Sequence, residues 1–104
     1  MTATIDRVAS ALGDPTRLAI LGKLRTDERT VGDIAADFAM TRPAISQHLR
    51  VLRDAELVSV REQGTRNFYR TQVEGLEGLR GWLETFWDEA LDRLKEEAEK
   101  EARS

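Results

Sequence analysis

The sequence predicts a mostly α-helical fold with one small β-hairpin, and three observations carry that expectation. Apolar residues recur at helical spacing through most of the 104-residue chain. Leu57, Val58 and Val60 lead into a strand, Glu62-Gln63-Gly64-Thr65 makes a turn, and Arg66-Asn67-Phe68-Tyr69-Arg70 makes a second strand. Directly before the hairpin, Thr41 to Ala55 reads as a helix with an unusually polar outer face. A helix followed at once by a basic-tipped hairpin is the organisation of a winged helix-turn-helix.

The elements follow in order. Ile5, Val8, Ala9 and Leu12 sit at helical spacing, giving a first helix over about 3–12 that Gly13 ends. Asp14-Pro15 restarts the chain as an N-cap with proline at the first helical position. Leu18, Ile20, Leu21 and Leu24 carry this second helix to about Arg25, and Thr26 to Arg29 form a polar loop. Thr30 with Asp33 has the form of a capping box for a short third helix that turns Ile34, Ala35 and Phe38 inward. Ala39-Met40 then leads tightly into the Thr41 helix, so two short helices flank a short turn. After the hairpin, a last helix runs from about 74 to 101. Leu76, Leu79, Leu83, Phe86, Trp87, Ala90 and Leu94 share about 100° of its wheel. Trp82 and Leu91 widen that seam, and the charged end from Lys95 to Ser104 is expected to fray.

The Thr41 helix carries the chemistry. Thr41 can cap it, and Pro43 falls in the first turn, where a missing N–H costs nothing. Ile45, Leu49 and Leu52 make its apolar stripe. Pro43, Ser46, Gln47 and Arg50 cluster opposite, flanked by Arg42 and Arg53. These side chains suit base edges and phosphates: Arg for guanine, Gln for adenine, Ser for either. An ordinary amphipathic surface helix would look similar, and the hairpin that follows tips the reading towards double-stranded DNA. Gln47 and Arg50 are expected on base edges; Thr41, Arg42, Pro43 and Ser46 would position the helix. Thr65 and Arg66 at the hairpin tip, with Arg61 in support, would reach the backbone or minor groove. His48 is the single histidine. It lies at the margin of the stripe, either a DNA contact or a partly buried residue bonded locally.

Charge supports this division. Overall the chain is net −3, but residues 41–71 hold six basic and three acidic groups, against five and six in 1–40 and five and ten in 72–104. For a nucleic-acid partner the local sign outweighs the total. One domain is expected over 1–104, with a DNA-binding core at about 14–71 and terminal helices for dimerisation. Neither an apolar run long enough for a bilayer nor a secretory signal is present, which fits the cytoplasm. With no cysteine, the chain can form neither disulfides nor thiolate metal sites. No Gly-rich phosphate loop or cysteine nucleophile supports an enzyme, so no cofactor is expected.

Two separated motifs resemble a known family. ALGDPTRLAILGKL is similar to the L-x-D-P-T-R-x-x-I-L-x-x-L opening of the ArsR/SmtB bacterial transcriptional regulators. MTRPAISQHLRVLRDAELV resembles that family's recognition helix, with the Ser46-Gln47-His48-Leu49 core followed by Leu52, Ala55, Leu57 and Val58, and GTRNFYR resembles its wing. The match covers roughly Ala11 to Thr71. It implies a homodimeric winged-helix repressor on a palindromic operator, with the first and last helices building the dimer. Ile5, Val8, Leu79, Trp82, Leu83, Phe86 and Trp87 are the expected interface. Many members release DNA when a metal binds, and the chain departs from them there. The thiolate box would fall at Thr30-Val31-Gly32, and a second metal site would use histidine on the last helix, which offers only Asp88, Glu89, Asp92 and Glu96. Oxygen-only ligands on a solvated face suit zinc or copper poorly. No metal site is therefore expected, and the inducing signal stays open. A ligand sensor using the last helix and a winged-helix protein-interaction module are the competing readings.

Overall fold

A computed structural model describes residues 4–103. In order they form α1 (Ile5–Leu12), α2 (Pro15–Leu24), α3 (Val31–Phe38), α4 (Arg42–Asp54), β1 (Val58–Gln63), β2 (Arg66–Thr71), a 3-10 turn (Glu74–Leu76) and α5 (Glu77–Arg103). The expected start of the first helix at Ala3 lies outside the described residues.

Local chemistry sets most of these boundaries. Thr4, Asp14, Thr30 and Thr41 each cap a helix by accepting first-turn N–H groups on the side chain. Thr30 and Asp33 satisfy each other reciprocally, the full capping box. The expected tight turn is made by Ala39 at φ 51°, a left-handed cap whose N–H closes on α3. The strands pair antiparallel from Val58–Thr71 to Gln63–Arg66. Gly64 takes φ +63° in the two-residue loop between them, as glycine does at the first position of a type II′ turn. A single bridge from Arg29 to Tyr69 ties the α2–α3 loop to the free side of β2.

The core gathers Val8, Ala11, Ile20, Leu24, Ile34, Ile45, Leu49, Leu52, Ala55, Leu57 and Val58, from α1 to α4, β1 and the link between α4 and β1. Close backbone approach seals it behind the wing. Gly75 donates to the Glu56 carbonyl, and a Cβ at Gly75 would run into the Ala55 and Glu56 carbonyl oxygens.

Two expectations need correction. Val8, expected against a partner's seam, is 1% exposed and belongs to the chain's own core, because α1 lies across α2 and α4 as well as α5. The last helix does not fray at Lys95: it stays helical to Arg103. Glu96–Lys100 and Glu99–Arg103 are i,i+4 pairs in the favourable order, in a segment of strong helix formers.

α5 is the outlier of the fold. Its 27 residues include none that is buried. Trp82, Leu83, Phe86, Trp87, Leu91 and Leu94 are all exposed, Trp87 by 69%. Trp82 and Phe86 meet edge to face with centroids 4.7 Å apart. Leu79 half-reaches the core, and Ile5 of α1 lies over Gly78. Among the described residues no helix is long and apolar enough to cross a membrane.

Candidate nucleic-acid interface

α3, the Ala39–Thr41 turn and α4 form the helix-turn-helix, and β1–β2 is the wing beside it. α4 buries Ile45, Leu49 and Leu52 and leaves Thr41, Arg42, Pro43, Ser46, Gln47, Arg50 and Arg53 exposed. The stripe predicted to face inward does so, and the polar face predicted to face out is out. Arg42, Arg50 and Arg53 make no ion pair or hydrogen bond among the described residues, whereas Arg17, Arg29, Arg61 and Arg80 are all ion-paired. Three unpaired arginines therefore lie along the exposed face of α4.

The wing tip reaches the start of that helix. Arg42, Thr65, Arg66 and Asn67, with Thr30 to Gly32, surround a polar hollow of about 290 Å³. The structure thus brings together the N-terminal end of α4 and the tip of the hairpin, which lie more than twenty residues apart in sequence. Arg66 sits 5.6 Å from the Phe68 ring centroid, a cation–π contact that steers the guanidinium near the tip.

Arg61 has a different task from a free phosphate ligand. Its Nε and Nη2 donate to Glu28 Oε2 at 2.9 and 2.7 Å, and its Nη1 donates to Gln63 Oε1 at 2.7 Å. Its guanidinium also lies 4.8 Å from the Phe68 centroid. Arg61, expected to support the tip's contact with DNA, here bridges the wing and the α2–α3 loop. Arg61's hydrogen bond is the main reason the Glu28 carboxyl sits below its ordinary range.

His48 is half-buried, and its neighbour was not anticipated. Arg17 donates from Nε to the Ala11 carbonyl (2.7 Å) and from Nη2 to the Ser10 carbonyl (3.1 Å). Its Nη1 lies 3.7 Å from Asp14 Oδ2 and 3.4 Å from His48 Nδ1. An arginine only donates, so the contact is a hydrogen bond in the tautomer whose Nδ1 is bare. Arg17 thereby ties the end of α1, the cap of α2 and the middle of α4 together. The sequence signal was available, since Arg17 is the arginine of the D-P-T-R motif, but nothing in a linear pattern shows what its fork would reach. Among the described residues, no three His, Cys, Asp or Glu side chains converge as a metal ion would require.

Helix-turn-helix, wing and an unpaired basic recognition face define a winged-helix DNA-binding regulator. Residues 14–60 match the family described as bacterial regulatory protein, arsR family. The chain is 46% identical over 86 residues to the HTH-type transcriptional regulator Rv2034 of Mycobacterium tuberculosis, covering 83% of this chain and 80% of that one. It is 35% identical over 82 residues to the transcriptional repressor SdpR of Bacillus subtilis, covering 79% and 91%. Among solved structures it is similar to the homodimeric winged helix-turn-helix DNA-binding domain of Mb0332 from Mycobacterium bovis, with a TM-score of 0.66, 35% identity, and coverage of 82% and 79%. The chain belongs to the ArsR family of bacterial transcriptional regulators.

Proposed function

We propose that this chain is a homodimeric repressor of the cytoplasm that binds a palindromic operator through α4 and the wing, and that thiophilic metals do not release it. One domain does both jobs: residues 14–71 hold DNA, and the terminal helices hold the partner. The observation that carries the reading is the exposed face of α4, with three unpaired arginines and Gln47 beside a wing tip bearing Arg66. Gln47 and Arg50 read base edges. Thr41, Arg42, Pro43 and Ser46 set the helix on the backbone, and Thr65 and Arg66 follow the strand outward, held by the Arg61 brace. His48 offers its Nε2 edge beside them.

The dimer is supported by the unburied seam of α5 and by the homodimeric Mb0332 domain. Exposed apolar surface of that extent marks an interface. Ile5, Leu79, Trp82, Leu83, Phe86 and Trp87 are its members; Val8 is not. Two copies related by a two-fold axis would place recognition helices one DNA turn apart, about 34 Å. Freedom from metal control rests on donor chemistry: tight zinc or arsenite binding needs thiolates or imidazoles converging on one point. Here there is no thiol, and the single imidazole is engaged by Arg17.

The test is a binding assay with the DNA upstream of the protein's own coding sequence. Gln47→Ala and Arg50→Ala should each lose about 1–3 kcal/mol on that DNA and less on unrelated duplex. Variants that bind the operator as tightly and as selectively as the parent would show that α4 does not read sequence.

A further inference from the structure

We propose that a hollow between α4 and β2 seats one phosphate of the DNA backbone, closed by Arg53 and the Tyr69 hydroxyl. The inference rests on the DNA-binding reading above and adds to it roles for Arg53 and Tyr69. The hollow holds about 240 Å³ and is lined by Ser46, Leu49, Arg50, Arg53 and Tyr69.

Its walls are fixed before any ligand arrives. Leu49 is buried in the core and forms part of the lining. Tyr69 is half-buried against the same core, and its backbone exchanges two hydrogen bonds with Arg29, at 2.8 and 3.1 Å. The phenol and the helix are thus held on elements that the fold positions independently of DNA.

The chemistry is that of an anion seat. Four of the five lining residues carry donors: two guanidinium groups, a hydroxyl and a phenol. No carboxylate lines the hollow, and neither arginine is paired among the described residues. Arg50 and Arg53 are three apart on a helix, so they flank one position. Guanidinium and hydroxyl donors without a competing acceptor suit a phosphodiester oxygen.

Direction separates this seat from the base-reading face. At about 100° per residue, Gln47 points nearly opposite the Ile45/Leu49/Leu52 stripe. Ser46 and Arg53 lie about a quarter turn away, on the edge that borders β2, and so cannot face the floor of a groove that Gln47 enters. What passes along that edge is the sugar-phosphate strand at the groove wall. Arg50 lies between the two directions and can serve either.

The experiment follows binding of the full-length protein to its operator and to an unrelated duplex, by fluorescence anisotropy across a salt series. Arg53→Gln should weaken both duplexes by the same factor and lower the slope of log affinity against log salt by about one. Arg53→Lys should restore the slope. Tyr69→Phe, which keeps the ring and the backbone bonds, should weaken both duplexes equally and leave the slope unchanged. An operator carrying a single neutral methylphosphonate, moved along the strand, should find one position that costs the parent more affinity than it costs Arg53→Gln. An unchanged slope in Arg53→Gln, or a change in sequence preference, overturns the phosphate seat while DNA binding stands. A parent protein with no preference for the operator overturns the DNA-binding reading itself, and the seat with it.

Discussion

Arg17 shows how much one side chain can coordinate. Its side chain is 16% exposed, and its donors serve two carbonyls at the end of α1, the Asp14 cap and His48. Arg17→Ala should destabilise the fold by about 1–3 kcal/mol, the cost of leaving such groups without a partner. Thermal melting measures that loss. Because α4 would also lose its tie to α1, operator affinity in the surviving folded fraction should fall too. Charge at the caps sets the acid limit. Asp14 is held below the ordinary carboxylate range, first by the Arg17 backbone N–H, and Asp33 by its hydrogen bonds with Thr30. Glu28 is lowered by Arg61. A carboxyl lowered in the folded state binds protons more readily when unfolded. Its contribution is therefore complete above the unfolded value, about pH 4, and is lost as the pH falls towards the lowered folded value. Melting temperature should be flat from pH 7 to 5 and drop below about 4, and Asp33→Asn should shrink that drop. An equally steep drop in the variant would assign the acid sensitivity elsewhere.

At the scale of elements, what was legible depended on whether the signal was local. The helix starts were legible because caps are local: Asp14-Pro15, the Thr30–Asp33 box and Thr41-Pro43 each announce themselves within four residues. The α4 stripe and the hairpin followed from periodicity and a glycine turn. Val8 was misplaced because spacing says that a residue faces something apolar, not which apolar surface it meets. The end of α5 was misread because a charged segment looks like a fraying one until its i,i+4 pairs are counted. The hollow beside Tyr69 and the Arg61–Glu28 brace were invisible, since each joins residues that only the fold brings together. Gly75 illustrates the same limit. It closes the wing against α4 by an approach that leaves no room for a side chain. Gly75→Ala should cost about 1–3 kcal/mol through overpacking, and chemical denaturation would record it. An unchanged midpoint would mean that the 3-10 turn can slide away at no expense.

For the molecule as a whole, dimerisation and metal response are the decisive measurements. Trp87→Glu together with Leu83→Glu places charges in the centre of the α5 seam. Light scattering at micromolar concentration should then report a monomer for the variant and a dimer for the parent. The body should stay folded, because neither residue is buried in it. A parent that is itself monomeric would refute the assembly. Zinc, cadmium, nickel and arsenite, titrated into the protein–operator complex with EDTA as control, should leave it intact. Release at micromolar metal would expose a site among Asp88, Glu89, Asp92 and Glu96 that needs the second copy to form.

The bare seam of α5 also has a kinetic meaning. A helix of 27 residues with none buried supplies little of the single chain's stability. Its surface is in effect held in reserve for an encounter. While monomers predominate, the number of assembled repressors grows with the square of the number of chains. Halving the concentration of chains then removes about three quarters of the assembled dimers. A gene under such control would reopen as growth dilutes the chain once its synthesis stops, with no small molecule required to signal it.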